Sequence, residues 1–167
     1  TGFNPDTECA TFHKQQLEVQ SGPEANHIPN WQLIGELTDP DDFAINGNVD
    51  IQHAWIEQSG LLLRFSMQTR LPIRTDYPLP QDSGTFFWLV DADSNSVTGQ
   101  PQGGIGSEFN VRVVVGEQFG GVFVDAVGQL PGGGSGVVTI IDDVIQVEVA
   151  LNQLSSPAEF LWVVDNW

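Results

Sequence analysis

The sequence has little cysteine, little lysine and almost no helical periodicity, and each shortage removes a class of answers. Cys9 is the only cysteine in 167 residues, so no disulfide forms within this chain. It stands as a free thiol or as half of a bridge to another part of a parent protein. Cys9 with His13 resembles a fragment of a zinc site, but two ligands without two more carry no metal reading. Lys14 is the only lysine. With Arg64, Arg70, Arg74 and Arg112 it faces 22 aspartates and glutamates, for a formal net charge of −17. A field of that sign repels phosphate backbones and anionic lipid, which argues against nucleic acid as a partner. No apolar run reaches the roughly 18 residues of a spanning helix, so membrane insertion is not expected.

An acidic domain suits cation binding, solubility, or both. The apolar fraction of 40% is enough for a folded core. The length suits one domain. Residues 1–30 are polar and broken by Pro5, Gly22, Pro23 and Pro29, and read as an irregular arm with one strand near Gln16–Gln20. Residues 31–167 read as a single β-sandwich domain. Short apolar runs there alternate with clusters of Gly, Asp, Asn and Pro, the pattern of an all-β chain.

In the run 61–69, Leu61, Leu63, Phe65 and Met67 fall on one face and Leu62, Arg64, Ser66 and Gln68 on the other. Residues 143–151 and 109–115 repeat the alternation. Residues 85–90 are apolar on both faces, which predicts a central, doubly covered strand. Further strands are expected over 31–37, 50–57, 119–126, 136–141 and 160–165, with a single helical turn at 151–156. About nine strands predict a two-sheet antiparallel β-sandwich, jelly-roll or immunoglobulin-like in arrangement.

The chemistry concentrates in residues 86–115. A hydrophobic strand runs into Asp91, Asp93 and Asn95 at alternate positions, then Thr98-Gly99, a turn at 103–106, and Glu108 at the head of the next strand. Alternate oxygen side chains on a curling loop can converge on one hard cation, and Ca²⁺ takes six to eight oxygens. Glycines such as Gly104 let backbone carbonyls turn inward. The loop is not an EF-hand: Ser96 stands where that motif needs glycine, Gln102 where it needs glutamate, and the flanks read as strands. An Asx-turn without metal accounts for the same residues, and both readings stand at this point. Asp39, Asp41 and Asp42 form a second acidic knot around Pro40, read as a turn before a metal site.

With these residues in view, the run FWLVDADSNSVTGQPQGGIGSEFNVRV resembles the strand–loop–strand core of bacterial extracellular β-sandwiches similar to the family-nine carbohydrate-binding modules and the DOMON-like domains. The resemblance covers residues 39–154. It implies a structural Ca²⁺ held by Asp91, Asp93, Asn95, Gly104 and Glu108, on a secreted or cell-surface bacterial protein; a domain of a larger multidomain protein and a protein complete in itself both stay open. It implies polysaccharide or glycan as a partner less directly. Glu108 departs from the commoner aspartate at its position. The resemblance does not carry over a sugar-stacking pair.

Candidate platforms come from the residues themselves. Trp88 and Trp162 alternate with apolar neighbours and read as core. Trp31, Trp55 and Tyr77, with the amide Gln52 beside Trp55, are the candidates for a ligand face, joined by Gln68 and Asn110 as amide contacts. Met67 sits on a clean apolar face and reads as core before haem ligand. His13, His27 and His53 stand near no nucleophile motif, so the chain reads as non-enzymatic. Two functions follow as expectations: a carbohydrate-binding module with a structural calcium, or an adhesive surface domain with the calcium and no small ligand.

Overall fold

The structure is a computed structural model, and it describes residues 15–16, 29–38, 50–74, 84–102, 104–115, 121–126 and 136–166. Strands make up about two thirds of it, and there is no α-helix among the described residues. The strands are β1 (Gln15–Gln16), β2 (Gln32–Thr38), β3 (Ile51–Ser59), β4 (Leu62–Thr69), β5 (Gly84–Asp91) and β6 (Gln100–Gln102). The rest are β7 (Ile105–Ser107), β8 (Phe109–Val115), β9 (Gly121–Ala126), β10 (Val137–Ile141), β11 (Val144–Ala150) and β12 (Glu159–Asn166). A 3-10 turn, Leu151–Leu154, follows β11, where a single helical turn was expected.

Two five-stranded antiparallel sheets form, ordered β1-β12-β5-β8-β9 and β10-β11-β4-β3-β2, with β6-β7 as a separate ribbon. The expected sandwich is therefore present, and its cause is the period-two pattern. Leu63, Phe65 and Met67 of β4 and Ile145, Val147 and Val149 of β11 all turn inward. They meet Phe86, Trp88 and Val90 of β5, Val111 and Val113 of β8, and Phe160 and Trp162 of β12 in one contiguous core. Phe65 meets Trp88 edge to face, ring centroids 6.0 Å apart. Trp88, Trp162 and Met67 are all core residues.

The doubly apolar β5 is central in its sheet, as read from its composition. Its inner face joins the main core. Its outer Leu89 packs with Val163 of β12 under Ile105 of β7, with Phe87 and Leu161 alongside. The ribbon thus acts as a cover for the sheet's outer face. The segment 103–106, expected to be a plain turn, instead supplies Ile105 and Gly106 to strand β7. Leu61, expected on the inward face, lies in the Gly60–Leu61 turn and is exposed. The arm forms a strand at Gln15–Gln16, paired with β12. Cys9, His13, Asp39, Asp41, Asp42 and Tyr77 lie outside the described residues.

Candidate functional site

The acidic loop springs from the end of β5. Asp91 is the strand's last residue and is fully buried, while Asp93 is exposed and Glu108, just before β8, is half-buried. Carboxylate oxygens of Asp91, Asp93 and Glu108 lie within 4.8 Å of one another, a set that could hold a metal ion. The backbone brings Glu108 there: its N–H donates to the Val90 carbonyl at 2.9 Å. Its Oε2 then accepts the Ala92 N–H at 2.7 Å.

Hydrogen bonds shape the rest of the loop. The Asn95 N–H donates to Asp91 Oδ1 at 3.1 Å and to Asp93 Oδ1 at 2.9 Å. The Thr98 hydroxyl lies 2.9 Å from each Asp93 oxygen and 2.8 Å from the Asn95 carbonyl, so its one proton can serve only one of them at a time. Asn95 Oδ1 accepts the Val97 N–H at 3.2 Å, which is the Asx-turn arrangement. Gly104, with φ of 81°, sits at the turn of the β6-β7 ribbon, the end away from Glu108.

Two glycines have a tighter role than lining a metal. A Cβ on Gly106 would lie 2.1 Å from the Thr98 carbonyl oxygen and 2.7 Å from that of Asn95. Gly99, at φ +66°, would put a Cβ 2.4 Å from the Ser107 carbonyl oxygen. The loop therefore lies backbone against backbone on β7, an approach only glycine allows.

The electrostatics are unbalanced. Asp91 Oδ2 and Glu108 Oε1 are buried and have no hydrogen-bond partner among the described residues. Burial, and then the Asp93 carboxylate, push the Asp91 carboxyl above its ordinary value of 3.8, against the N–H groups of Asn95 and Gly106, which pull it down. Buried anionic oxygens without partners are costly unless a cation or proton offsets them.

No protein-family model, curated protein or solved structure matches this chain. What the molecule does must be read from its own surfaces.

A second constellation lies on the outer face of the β10-β11-β4-β3-β2 sheet. Register places Thr139, Gln146, Ser66, Trp55 and Glu36 in one cross-strand row. Beside it run Ile141, Val144, Gln68, His53 and Thr38. A groove of about 310 Å³ opens between Trp55 and the β10-β11 hairpin, with Thr139, Ile141, Val144 and Gln146 along it and Asp142 and Asp143 at its end. His53 stacks on Trp55, centroids 4.9 Å apart and 25° between planes, and is 3.4 Å from Glu36. Gln68 donates to Asp143 Oδ2 at 2.8 Å.

Of the candidate platform residues, the structure brings Trp55 into this groove. Trp31 lies under the Arg64 guanidinium, 3.9 Å from its ring centroid, and Arg64 also donates to Glu148 at 2.7 Å. Gln52 sits at the bulge between Ile51 and His53 and does not line the groove. Asn110 is on β8, in the other sheet, so it cannot share a face with Gln68. Sequence reasoning missed Thr139, Asp142, Asp143 and Gln146 as groove residues. The polar face of 144–150, with Gln146 and Glu148, was visible, but not which strand it would lie beside.

Proposed function

We propose that this domain is a non-catalytic glycan-binding module of a secreted or cell-surface protein, with a structural Ca²⁺ in the Asp91–Glu108 loop. The observation that carries the binding reading is the groove on Trp55. A half-buried indole, flanked by an amide, a hydroxyl and carboxylates, offers a flat apolar surface for a pyranose ring and polar atoms for its hydroxyls.

The calcium reading rests on the unpartnered oxygens of Asp91 and Glu108 beside Asp93. Three carboxylates of hard oxygen suit Ca²⁺ rather than a soft metal. An exposed Asp93 leaves room for water in the coordination shell and suits the modest affinity of extracellular modules. The cation would join the end of β5 to the start of β8, and so fix the loop on the ribbon.

The test is thermal unfolding with excess Ca²⁺ and with excess chelator. Calcium at about a hundredfold over Kd should add about 2.7 kcal/mol, which raises Tm by roughly 5–10 °C in a domain of this size. Asp93→Ala should abolish that rise. The absence of any rise in the wild-type protein would refute the calcium site. Retention on insoluble polysaccharides tests the binding half, and calcium-dependent self-association without such retention would instead make the domain adhesive.

A further inference from the structure

The glycan reading says nothing of the sugar's charge, but the groove does. Its end is formed by Asp142 and Asp143, adjacent carboxylates in the β10-β11 turn. Glu36 stands across from Trp55 on the neighbouring strand. Among the described residues, no lysine or arginine lines the groove. Arg64 belongs to the next row and is engaged by Glu148, Glu57 and Trp31, and Arg70, two residues beyond Gln68, lies 3.6 Å from Asp50. The whole chain carries −17. The charged residues that line the groove, Asp142 and Asp143, would repel uronic, sulfated or phosphorylated sugars.

The turn that presents the two carboxylates is held firmly. Asp142 has φ of 51°, a left-handed conformation that is unusual for a residue with a side chain. Its carbonyl accepts the Ile73 N–H at 2.8 Å, and that of Asp143 accepts the Thr69 N–H at 2.8 Å. Gln68 orients one oxygen of the Asp143 carboxylate. His53 stacks on the indole of Trp55, which itself lines the groove.

Ser66 is fully buried although it sits on the outer face, and its hydroxyl has no hydrogen-bond partner among the described residues. It occupies the register position between Trp55 and Gln146, two residues that line the groove. The hydroxyl is closed off by its neighbours and does not itself line the groove, so a ligand oxygen or an ordered water satisfies it only when a side chain above it moves.

We propose that this groove takes a sugar unit bearing a protonated amine, its ring stacked on Trp55 and its ammonium held against Asp142 and Asp143. Aromatic faces attract ammonium groups as well as sugar rings, and the paired carboxylates add a directional charge contact. The inference rests on the glycan reading and adds the charge class to it.

The test uses three β-1,4-linked tetramers that differ only at C2: glucosamine, N-acetylglucosamine and glucose. Binding to the calcium-loaded protein is measured by calorimetry at moderate and at high salt. The glucosamine tetramer should bind at least tenfold tighter than the other two. Trp55→Ala and Asp143→Asn should each weaken it at least tenfold while keeping the calcium-dependent rise in Tm. Equal binding of the glucose tetramer, lost in Trp55→Ala, would overturn the charge selectivity and leave the glycan reading standing. Amine binding that survives Trp55→Ala would be ion exchange on an acidic surface and would overturn the site. No binding of any tetramer would overturn the site and count against the glycan reading itself.

Discussion

Glu108 Oε2 accepts the Ala92 N–H at 2.7 Å, a contact that ties together two points sixteen residues apart. The other oxygen of the same carboxylate, Oε1, is buried with no partner among the described residues. One side chain thus closes the loop and leaves an anionic oxygen beside Asp91 and Asp93. Glu108→Ala should lose both functions and destabilise the calcium-free protein by about 1–3 kcal/mol. Glu108→Gln keeps an acceptor for Ala92 and loses the charge. It should unfold close to wild type in chelator, with the calcium-dependent rise in Tm reduced or absent. Thermal melts of the two variants side by side separate closure from cation binding.

Gly106→Ala should be among the most damaging small changes in the molecule. The added Cβ would meet backbone atoms of Thr98, Asn95 and Ser96 at 2.1–3.0 Å, and backbone cannot swing aside as a side-chain tip can. A loss of about 3 kcal/mol or more is expected in urea unfolding. Gly60→Ala is the control. It has φ of +57° with open space around its Cβ, so it should cost about 1–2 kcal/mol from backbone conformation alone and leave the calcium response intact.

Asp91 gives the cation-free protein a pH signature. Burial and Asp93 raise its carboxyl above 3.8 in the folded state, so the fold holds that proton more tightly than the unfolded chain does. Stability contributed by protonated Asp91 is present below the unfolded value and is lost as pH rises through the raised folded value. In chelator, the unfolding free energy of wild type relative to Asp91→Asn should therefore fall as pH rises from about 4, and level off once the folded carboxyl is ionised. Saturating Ca²⁺ favours the ionised form and should reverse that slope. Urea titrations of both proteins across pH, with and without calcium, check it.

Arg64 is 21% exposed and joins Trp31, Glu57 and Glu148. Arg64→Ala should cost about 1 kcal/mol, because the ion pairs are partly solvated and the stacking on Trp31 is a single contact. Arg64→Lys keeps the charge but not the planar stack. Both should shift Trp31 emission to longer wavelength, with the calcium response unchanged.

The strands were legible because burial imposes period two. Leu63, Phe65 and Met67 alternate with Arg64, Ser66 and Gln68, and the structure turns the two sets to opposite faces. The loop carboxylates were legible for a related reason: Asp91 and Asp93 are two residues apart and Glu108 heads the neighbouring strand. The β6-β7 ribbon was not. Gln100-Pro101-Gln102 and Ile105-Gly106-Ser107 have one large apolar side chain between them, and Ile105 reveals its role only against Leu89 and Val163. The groove was half legible. Trp55 stood out beside polar neighbours, but the wall opposite comes from residues some ninety positions later, and register across β3, β4 and β11 is what brings them together.

The strand β12 lies between β1 and β5, so residues 159–166 are flanked by 15–16 on one edge and 84–91 on the other. During synthesis β5 can pair with β8, but its other edge stays open until β12 emerges about seventy residues downstream. Such distant closure makes folding slow, on the order of milliseconds to seconds. It also makes the interval before β12 emerges the period in which the nascent chain most needs protection from aggregation.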